Sequence, residues 1–385
     1  MLYAFFDGFD PGEGFFYCIK VSRNIDPACG SGNFLTESYL SLRKLENEIL
    51  RFIYQKDAAQ IILGIDQYEP IKVNVEQFYG IEINDFAATV ATTALWIAES
   101  QMMDETKGIV HQNLDFLPLH SYPNVVEANA LRLDWETIVL KQDLNYIIGN
   151  PPFVGARLMN REQKADLQAV FPNWKNVGNL DYVAGWFKKA ADLMENTKIR
   201  TAFVATNSIS QGELVATLWK PLFEKGVQID FAHLTFKWDS EATQKANVHV
   251  VIIGFSMESS KRKRVIYSGN NPRVVSNINA YLVDAENVFV SSRSKPISDV
   301  PSIGIGNKPI DNTNYLFKKD EMIEFIAKEP DSEKLFKKFY GAYEFINRKP
   351  RYCLWLGDCT PDVLKKMPNA MNRVEAVRQF RLCTR

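Results

Sequence analysis

Asp26-Pro27-Ala28-Cys29-Gly30-Ser31-Gly32-Asn33-Phe34-Leu35 is the stretch on which the reading of the fold turns. Gly30 and Gly32 let the backbone turn tightly and approach a ligand, and the apolar spacing from Thr36 to Leu50 predicts a helix leaving that turn. Upstream, Ile19-Lys20-Val21-Ser22-Arg23-Asn24-Ile25 offers a thin, alternating strand. Strand, glycine turn and helix together make a nucleotide-binding corner of an α/β sheet. Neither the Gly-Lys-Ser/Thr of a phosphate loop nor Gly-x-Gly-x-x-Gly is present. Instead an acid, Asp26, precedes the glycines, which suits a cationic ligand better than a phosphate. No histidine stands near Cys29 in the sequence to activate it, so packing is its expected role.

Further along, Phe78-Tyr79-Gly80-Ile81-Glu82-Ile83-Asn84 reads as a second strand ending in an acid, followed by an alanine-rich helix from Phe86 to Met102. An acid in the position of Glu82 accepts hydrogen bonds from ribose hydroxyls in folds of this kind. Asn124 to Leu131 reads as a third strand with Asn129 near its carboxyl end, and Leu144 to Gly149 as a fourth. The fourth stops at Asn150-Pro151-Pro152-Phe153, because neither proline can donate to a ladder and both fix φ. That stop leaves an amide side chain, a proline carbonyl and an aromatic face at the carboxyl edge, where open α/β sheets bind ligands. Taken alone, the tetrapeptide also fits an ordinary turn.

Leu180 to Ala190 has the spacing of an amphipathic helix whose aromatics belong in the core, and Thr201 to Ser208 reads as a fifth strand. Val227 to Phe236 and Val248 to Phe255 lack a helix-length spacer and are expected to pair antiparallel. The expected fold is therefore α/β: a mostly parallel, Rossmann-like sheet closed by an antiparallel hairpin. Past Lys261-Arg262-Lys263-Arg264 the texture changes to short β-prone pieces separated by Asn, Pro and Gly. Three regions are expected: a poorly defined leader over 1–25, a catalytic domain over 26–257 and a β-rich region over 258–385.

With 385 residues, 46% of them hydrophobic and 24% charged, the chain has the composition of a soluble globular protein of two or three domains. No apolar run is long enough to span a bilayer and no charged-then-apolar targeting segment opens the chain, so a cytoplasmic location is expected. The five cysteines form no Cys-x-x-Cys pair and the four histidines are scattered, which indicates neither a disulfide frame nor a metal site. Net charge is −1, yet it is unevenly spread. Residues 258–385 hold 23 Lys and Arg against 15 Asp and Glu, a balance of +8; residues 1–257 hold 22 against 31, or −9. An acidic half that does chemistry and a basic half that meets a polyanion fit this asymmetry. Arg348-Lys349-Pro350-Arg351-Tyr352 and Trp355 interleave bases with aromatics as nucleic-acid surfaces do, and as a solvated sheet edge also can.

Asp-Pro-Ala-Cys-Gly-Ser-Gly at 26–32, Gly-Ile-Glu-Ile-Asn at 80–84 and Asn-Pro-Pro-Phe at 150–153, in that order, resemble the class I S-adenosylmethionine-dependent DNA adenine methyltransferases. Residues 148–155, 206–213, 236–238 and 247–255 resemble more narrowly the methylase portion of MmeI-like fused restriction-modification enzymes. The resemblance implies S-adenosyl-L-methionine as cofactor. Asp26, Ala28, Cys29, Gly30 and Gly32 would hold its methionine part, Glu82 its ribose, and Ile83 with Asn129 its adenine. Asn129 departs from the aspartate more usual there. Asn150, Pro151, Pro152 and Phe153 would be catalytic, and the region past 258 would begin a target-recognition domain that the chain does not complete.

The implied substrate is the N6 amine of adenine in double-stranded DNA, with no membrane partner. The amine's lone pair is delocalised into the ring. Acceptors on both its protons, the Asn150 side-chain oxygen and the Pro151 carbonyl, would pyramidalise it and free that pair, with Phe153 stacked on the base. The family also carries a nuclease. Glu105-Thr106-Lys107 and Glu162-Gln163-Lys164 lack a preceding Pro-Asp strand, so cleavage chemistry is expected only on a missing segment or a separate chain. A catalytically impaired DNA-binding remnant, an RNA-base methylase and a protein-glutamine methylase remain the rival readings.

Overall fold

The computed structural model describes residues 22–56, 71–110, 124–238, 248–257, 263–291, 293, 295–301, 309–357 and 359–383. Most of the expected leader, residues 57–70 and residues 261 and 262 of the basic run lie outside the described residues. The chain divides into two compact units, Met1–Ser292 and Arg293–Arg385.

The first unit is built on a nine-stranded sheet. Its strands are β1 (Asn24–Asp26), β2 (Phe78–Glu82), β3 (Val125–Glu127), β4 (Tyr146–Gly149), β5 (Arg200–Thr206), β6 (Gln228–Lys237), β7 (His249–Ser256), β8 (Arg264–Ser268) and β9 (Asn271–Val275). They lie in the order β3-β2-β1-β4-β5-β7-β6-β8-β9. The first five run parallel, and β7 pairs antiparallel with both β5 and β6, as the missing helix-length spacer predicts. β1, β2 and β3 step to one side while β4 and β5 step to the other, so strand order reverses between β1 and β4. A crevice opens at such a point, above the carboxyl ends of the strands.

Three residues of β2 show how the sheet is covered. Phe78 packs into one cluster with Leu35, Tyr39 and Leu42 of α1 (Asn33–Lys56) and Ala91, Leu95 and Ala98 of α2 (Asp85–Val110). Tyr79 and Ile81, one pleat away and so on the opposite face, join the larger cluster. That cluster is filled from α3 (Arg161–Val170), α4 (Ala184–Leu193) and α5 (Glu213–Glu224). Its centre is aromatic. Phe255 of β7 stacks on Phe187 of α4 with ring centroids 5.3 Å apart, and Phe203 and Trp219 meet it at 6.2 Å.

β8 and β9 continue the same sheet, with Phe231, Ala232 and His233 of β6 in register with Val265, Ile266 and Tyr267. Ile266 and Val275 are buried in the core of the large sheet, which is why the first unit runs past residue 257 to Ser292. The expected boundary at 257/258 falls between two strands of one sheet.

The second unit holds β10 (Leu316–Phe317), β11 (Phe336–Phe339) and β12 (Arg351–Leu354), antiparallel in the order β10-β12-β11. Helices α6 (Lys319–Lys328), α7 (Ala342–Asn347), α8 (Pro361–Leu364) and α9 (Pro368–Cys383) accompany them. Phe317, Phe325, Leu335 and Leu354 form its core. The carboxylate of Glu329 takes the Asn369 and Ala370 N–H groups at 2.8 and 2.9 Å, a negative charge at the positive end of α9. The basic and aromatic residues interleave within the unit itself: Arg351 lies 5.4 Å over Phe339 and pairs with Glu344 at 2.8 Å, and Lys337 lies 5.3 Å over Trp355. No helix among the described residues is long and apolar enough to cross a membrane.

Because Phe255 is fully buried between α4, α5 and β5, Phe255→Ala is expected to destabilise the first unit by about 3–5 kcal/mol in urea unfolding. A loss below about 1 kcal/mol would show that these layers do not pack around that ring.

Candidate active site

Four strand ends and two helices converge on the crevice. β1 delivers Asp26, whose neighbours across the sheet are Gly80 of β2 and, in the β4 direction, the residues around Ile148. A Cβ on Gly149 would run into the Asp26 carboxylate, so glycine at 149 is what leaves room for that acid at the switch point. The chain then turns through Pro27 to Gly32. Gly32 sits at φ +84°, and a Cβ there would lie 2.9 Å from the Ala91 backbone of α2. The turn is thus closed against α2, and α1 starts from it with the Thr36 N–H bonded to the Gly32 carbonyl at 2.8 Å.

Asp26 is 1% exposed. Its Oδ1 accepts the Ala28 N–H at 3.0 Å, while Oδ2 is buried with no partner. Burial pushes the carboxyl up to about 7; the Ala28 bond opposes that shift and the nearby Glu82 charge adds to it. Cys29 is buried below the same loop, and desolvation together with Asp26 and Glu82 raises its thiol well above the ordinary range. It stays protonated and packs, as its sequence context predicts.

Glu82 ends β2 and is spent partly on the loop: Oε2 accepts the Gly30 N–H at 2.9 Å and Oε1 the Asn84 N–H at 3.0 Å. Each oxygen keeps a further lone pair for a ligand hydroxyl. Ile83, the next residue, is two-thirds exposed beside it. Past β3, the Asn129 side chain donates from Nδ2 to Asp166 Oδ2 at 2.9 Å and accepts the Leu131 N–H at 2.9 Å.

β4 ends in Asn150, whose Oδ1 is buried and unpartnered like Asp26 Oδ2. Pro151 is buried, Pro152 exposed, and Phe153 half-buried against the large cluster. The loop beyond is held by Asp181. Its Oδ1 accepts the N–H groups of Val154 and Val183 at 3.2 and 3.3 Å, and its Oδ2 the Thr206 hydroxyl at 3.3 Å. One carboxylate so ties the backbone of the loop after β4, the start of α4 and the end of β5 together.

A cleft of about 640 Å³ lies over these ends, within the range of ligand sites. Of the residues expected at a site, Ala28, Glu82, Ile83, Asn129, Asn150 and Pro152 line it. Asp26, Cys29, Gly30 and Gly32 form the turn behind Ala28 without lining it, and Pro151 and Phe153 flank Asn150 without lining it.

Sequence reading missed the opposite wall, made by Arg132, Asn160, Gln163, Asp166, Tyr182 and Trp186. Tyr182 and Trp186 are buried, as the helical pattern predicts, yet their polar tips work: Trp186 Nε1 donates to the Pro27 carbonyl at 2.9 Å and the Tyr182 hydroxyl to Asp166 at 3.2 Å. Their i, i+4 spacing was the available signal. Asp166 had none. Of the Glu-x-Lys triplets, Glu162-Gln163-Lys164 is the first turn of α3, closed by an Asn160–Gln163 capping box, and Glu105-Thr106-Lys107 lies in α2 with Thr106 buried against Arg43 and Asn47.

Sheet order, glycine corner and switch-point cleft define the class I methyltransferase fold. The description "MmeI, DNA-methyltransferase domain" matches residues 15–268, and "MmeI, target recognition domain" matches 284–385. DNA methyltransferase A of Bacillus subtilis (strain 168) is 41% identical over 379 residues, covering 98% of this chain and 42% of that protein. The solved structure of the Type IIL restriction-modification enzyme MmeI in complex with DNA superposes with a TM-score of 0.85 at 42% identity, covering 96% of this chain and 50% of that one. The chain belongs to the MmeI family, and it spans half or less of the length of these relatives.

Removing the Asp181 carboxylate should loosen the loop without unfolding the sheet. In Asp181→Ala, hydrogen exchange at the Val154 and Val183 amides is expected to quicken by roughly 10- to 100-fold. Unchanged protection at both amides would mean that Asp181 does not hold the loop.

Proposed function

We propose that this chain transfers a methyl group from S-adenosyl-L-methionine to the N6 amine of adenine in double-stranded DNA, as the methylase part of a restriction-modification enzyme. The observation that carries the reading is the pair of buried, unpartnered oxygens at the switch point, Asp26 Oδ2 and Asn150 Oδ1. Leaving a buried acceptor unsatisfied costs about 1–3 kcal/mol, a cost a ligand with matching donors removes. A cationic amino-acid end near one and an amine near the other complement them. The family membership and the two units, one with the cleft and one matching a target recognition domain, support DNA as the substrate.

When bound, the cofactor supplies an electrophilic sulfonium methyl. The chain's own part is positioning and charge. Pro27 and Ala28 line the cleft where the cofactor's methionine end would rest, with the Asp26 charge directly behind them. Glu82 keeps lone pairs for the ribose hydroxyls, and exposed Ile83 and Asn129 flank the place for its adenine. Asn150 Oδ1 and the Pro151 carbonyl accept hydrogen bonds from the two N–H groups of the target amine, which restores nucleophilic character to its nitrogen. Phe153, held by the Asp181 brace on Val154, stacks on the base. The methylated ammonium is acidic enough to lose its proton without a strong base. Bringing the base out of the duplex costs a few kcal/mol, offset by stacking and the pocket's hydrogen bonds.

Asn150→Ala is expected to abolish methyl transfer while DNA affinity in a filter-binding assay stays within about threefold of the parent. Equal loss of both would remove Asn150 from the chemistry.

The raised Asp26 carboxyl sets a pH dependence. A cation binds better to the ionised acid, so cofactor affinity is lower below pH 7, rises through it and levels above. Isothermal titration at pH 6 should give about tenfold weaker binding than at pH 8, and Asp26→Asn should flatten the profile. The same slope in both proteins would show that another group controls it.

A further inference from the structure

The cleft has a direction. In the order β3-β2-β1-β4, the target-facing Asn150 stands at one end, Glu82 two strands away and Asn129 three. At about 4.8 Å per strand, that separates Asn150 from Asn129 by on the order of 14 Å, the reach of an extended nucleoside with an amino-acid tail. With the reacting end at Asn150 and the ribose at Glu82, the purine falls at Asn129.

There the chain has an amide, and an amide is ambiguous. Rotating it by 180° exchanges donor for acceptor, so by itself Asn129 cannot tell an amino group from a carbonyl. The structure removes the ambiguity from both sides. An ionised carboxylate only accepts, and Asp166 Oδ2 faces Asn129 Nδ2 at 2.9 Å; the Leu131 N–H only donates, and it meets Asn129 Oδ1 at 2.9 Å. A flipped amide would set oxygen against oxygen on one side and N–H against N–H on the other. Asp166 is itself fixed: it is 5% exposed, Arg132 Nε donates to its Oδ1 at 2.5 Å and the Tyr182 hydroxyl to its Oδ2 at 3.2 Å. Asn129, Arg132, Asp166 and Tyr182 all line the cleft. Asn129 Oδ1 retains one lone pair.

We infer that Asp166 is a positioning residue that locks the Asn129 side chain as a hydrogen-bond acceptor and so makes the cleft select a 6-aminopurine over a 6-oxopurine. The inference rests on the cofactor reading of the cleft given above. An acid on α3 thereby gives the amide the acceptor character of a strand-end carboxylate.

The test is competition binding by isothermal titration with S-adenosyl-L-homocysteine and its deaminated analogue S-inosyl-L-homocysteine. The parent chain should prefer the adenosyl ligand by about tenfold or more, the cost of one mismatched buried polar contact. In Asp166→Asn the residue facing Nδ2 can donate as well as accept, which leaves the Leu131 N–H as the one fixed restraint on the amide, so the preference should fall by about threefold or more. The double variant Asn129→Asp/Asp166→Asn exchanges carboxylate and amide, keeps the hydrogen bond between them, and should restore the preference. If Asp166→Asn weakens both ligands equally and keeps the parent ratio, or if the exchanged pair folds and binds without selectivity, the inference is overturned. If the parent binds neither ligand at millimolar concentration, the cofactor reading itself fails.

Discussion

A buried carboxylate at the point where strand order reverses organises the first unit. Asp26 fits between β1 and β4 only because residue 149 has no side chain, and it is held there by a single backbone N–H. Burial outweighs that bond, as the direction of its shift to about 7 records. The sign has a structural consequence. A carboxyl raised above its unfolded value makes the unliganded fold lose stability as pH rises from about 4 to about 7, so the empty cleft is least comfortable where the acid is ionised. On the proposed reading, a cation beside Pro27 and Ala28 would reverse this and couple ligand binding to the ionisation of Asp26.

The second wall supplies what the strand ends lack. Trp186 pins the Pro27 carbonyl, Asp181 pins the Val154 N–H and Asp166 pins the Asn129 amide. Each joins a loop at a strand end to α3, α4 or the segment just before them. A loop carrying two consecutive prolines cannot enter a ladder, so its orientation has to come from such braces. Aromatic packing of Phe187, Phe203, Trp219 and Phe255 beneath them holds the helices at a fixed height over the sheet.

Much of this was legible in the residues. The glycine corner, the acid closing β2 and the Asn-Pro-Pro stop each announce a strand end, and parallel strands bring their carboxyl ends to one edge. The short spacer before β7 gave the antiparallel closure. What the residues did not announce were partners far apart in the chain: Asp166 lies 37 positions from Asn129 and Trp186 lies 159 from Pro27. Lone acids and helical aromatics look the same in a core as in a binding wall. The length of the first unit was hidden for a similar reason, since the polar, basic texture around Arg264 and Arg273 masks β8 and β9, whose burial is carried by Ile266 and Val275 alone.

On the proposed mechanism, Asn150 and Pro151 offer acceptors to both protons of the target amine. Incubating the chain with methyl-tritiated S-adenosylmethionine and mixed-sequence duplex DNA, digesting to nucleosides and separating them identifies the atom that is methylated. Label is expected in the deoxy form of N6-methyladenosine; label in 5-methylcytosine, or label that stays on protein, would contradict amine methylation at Asn150.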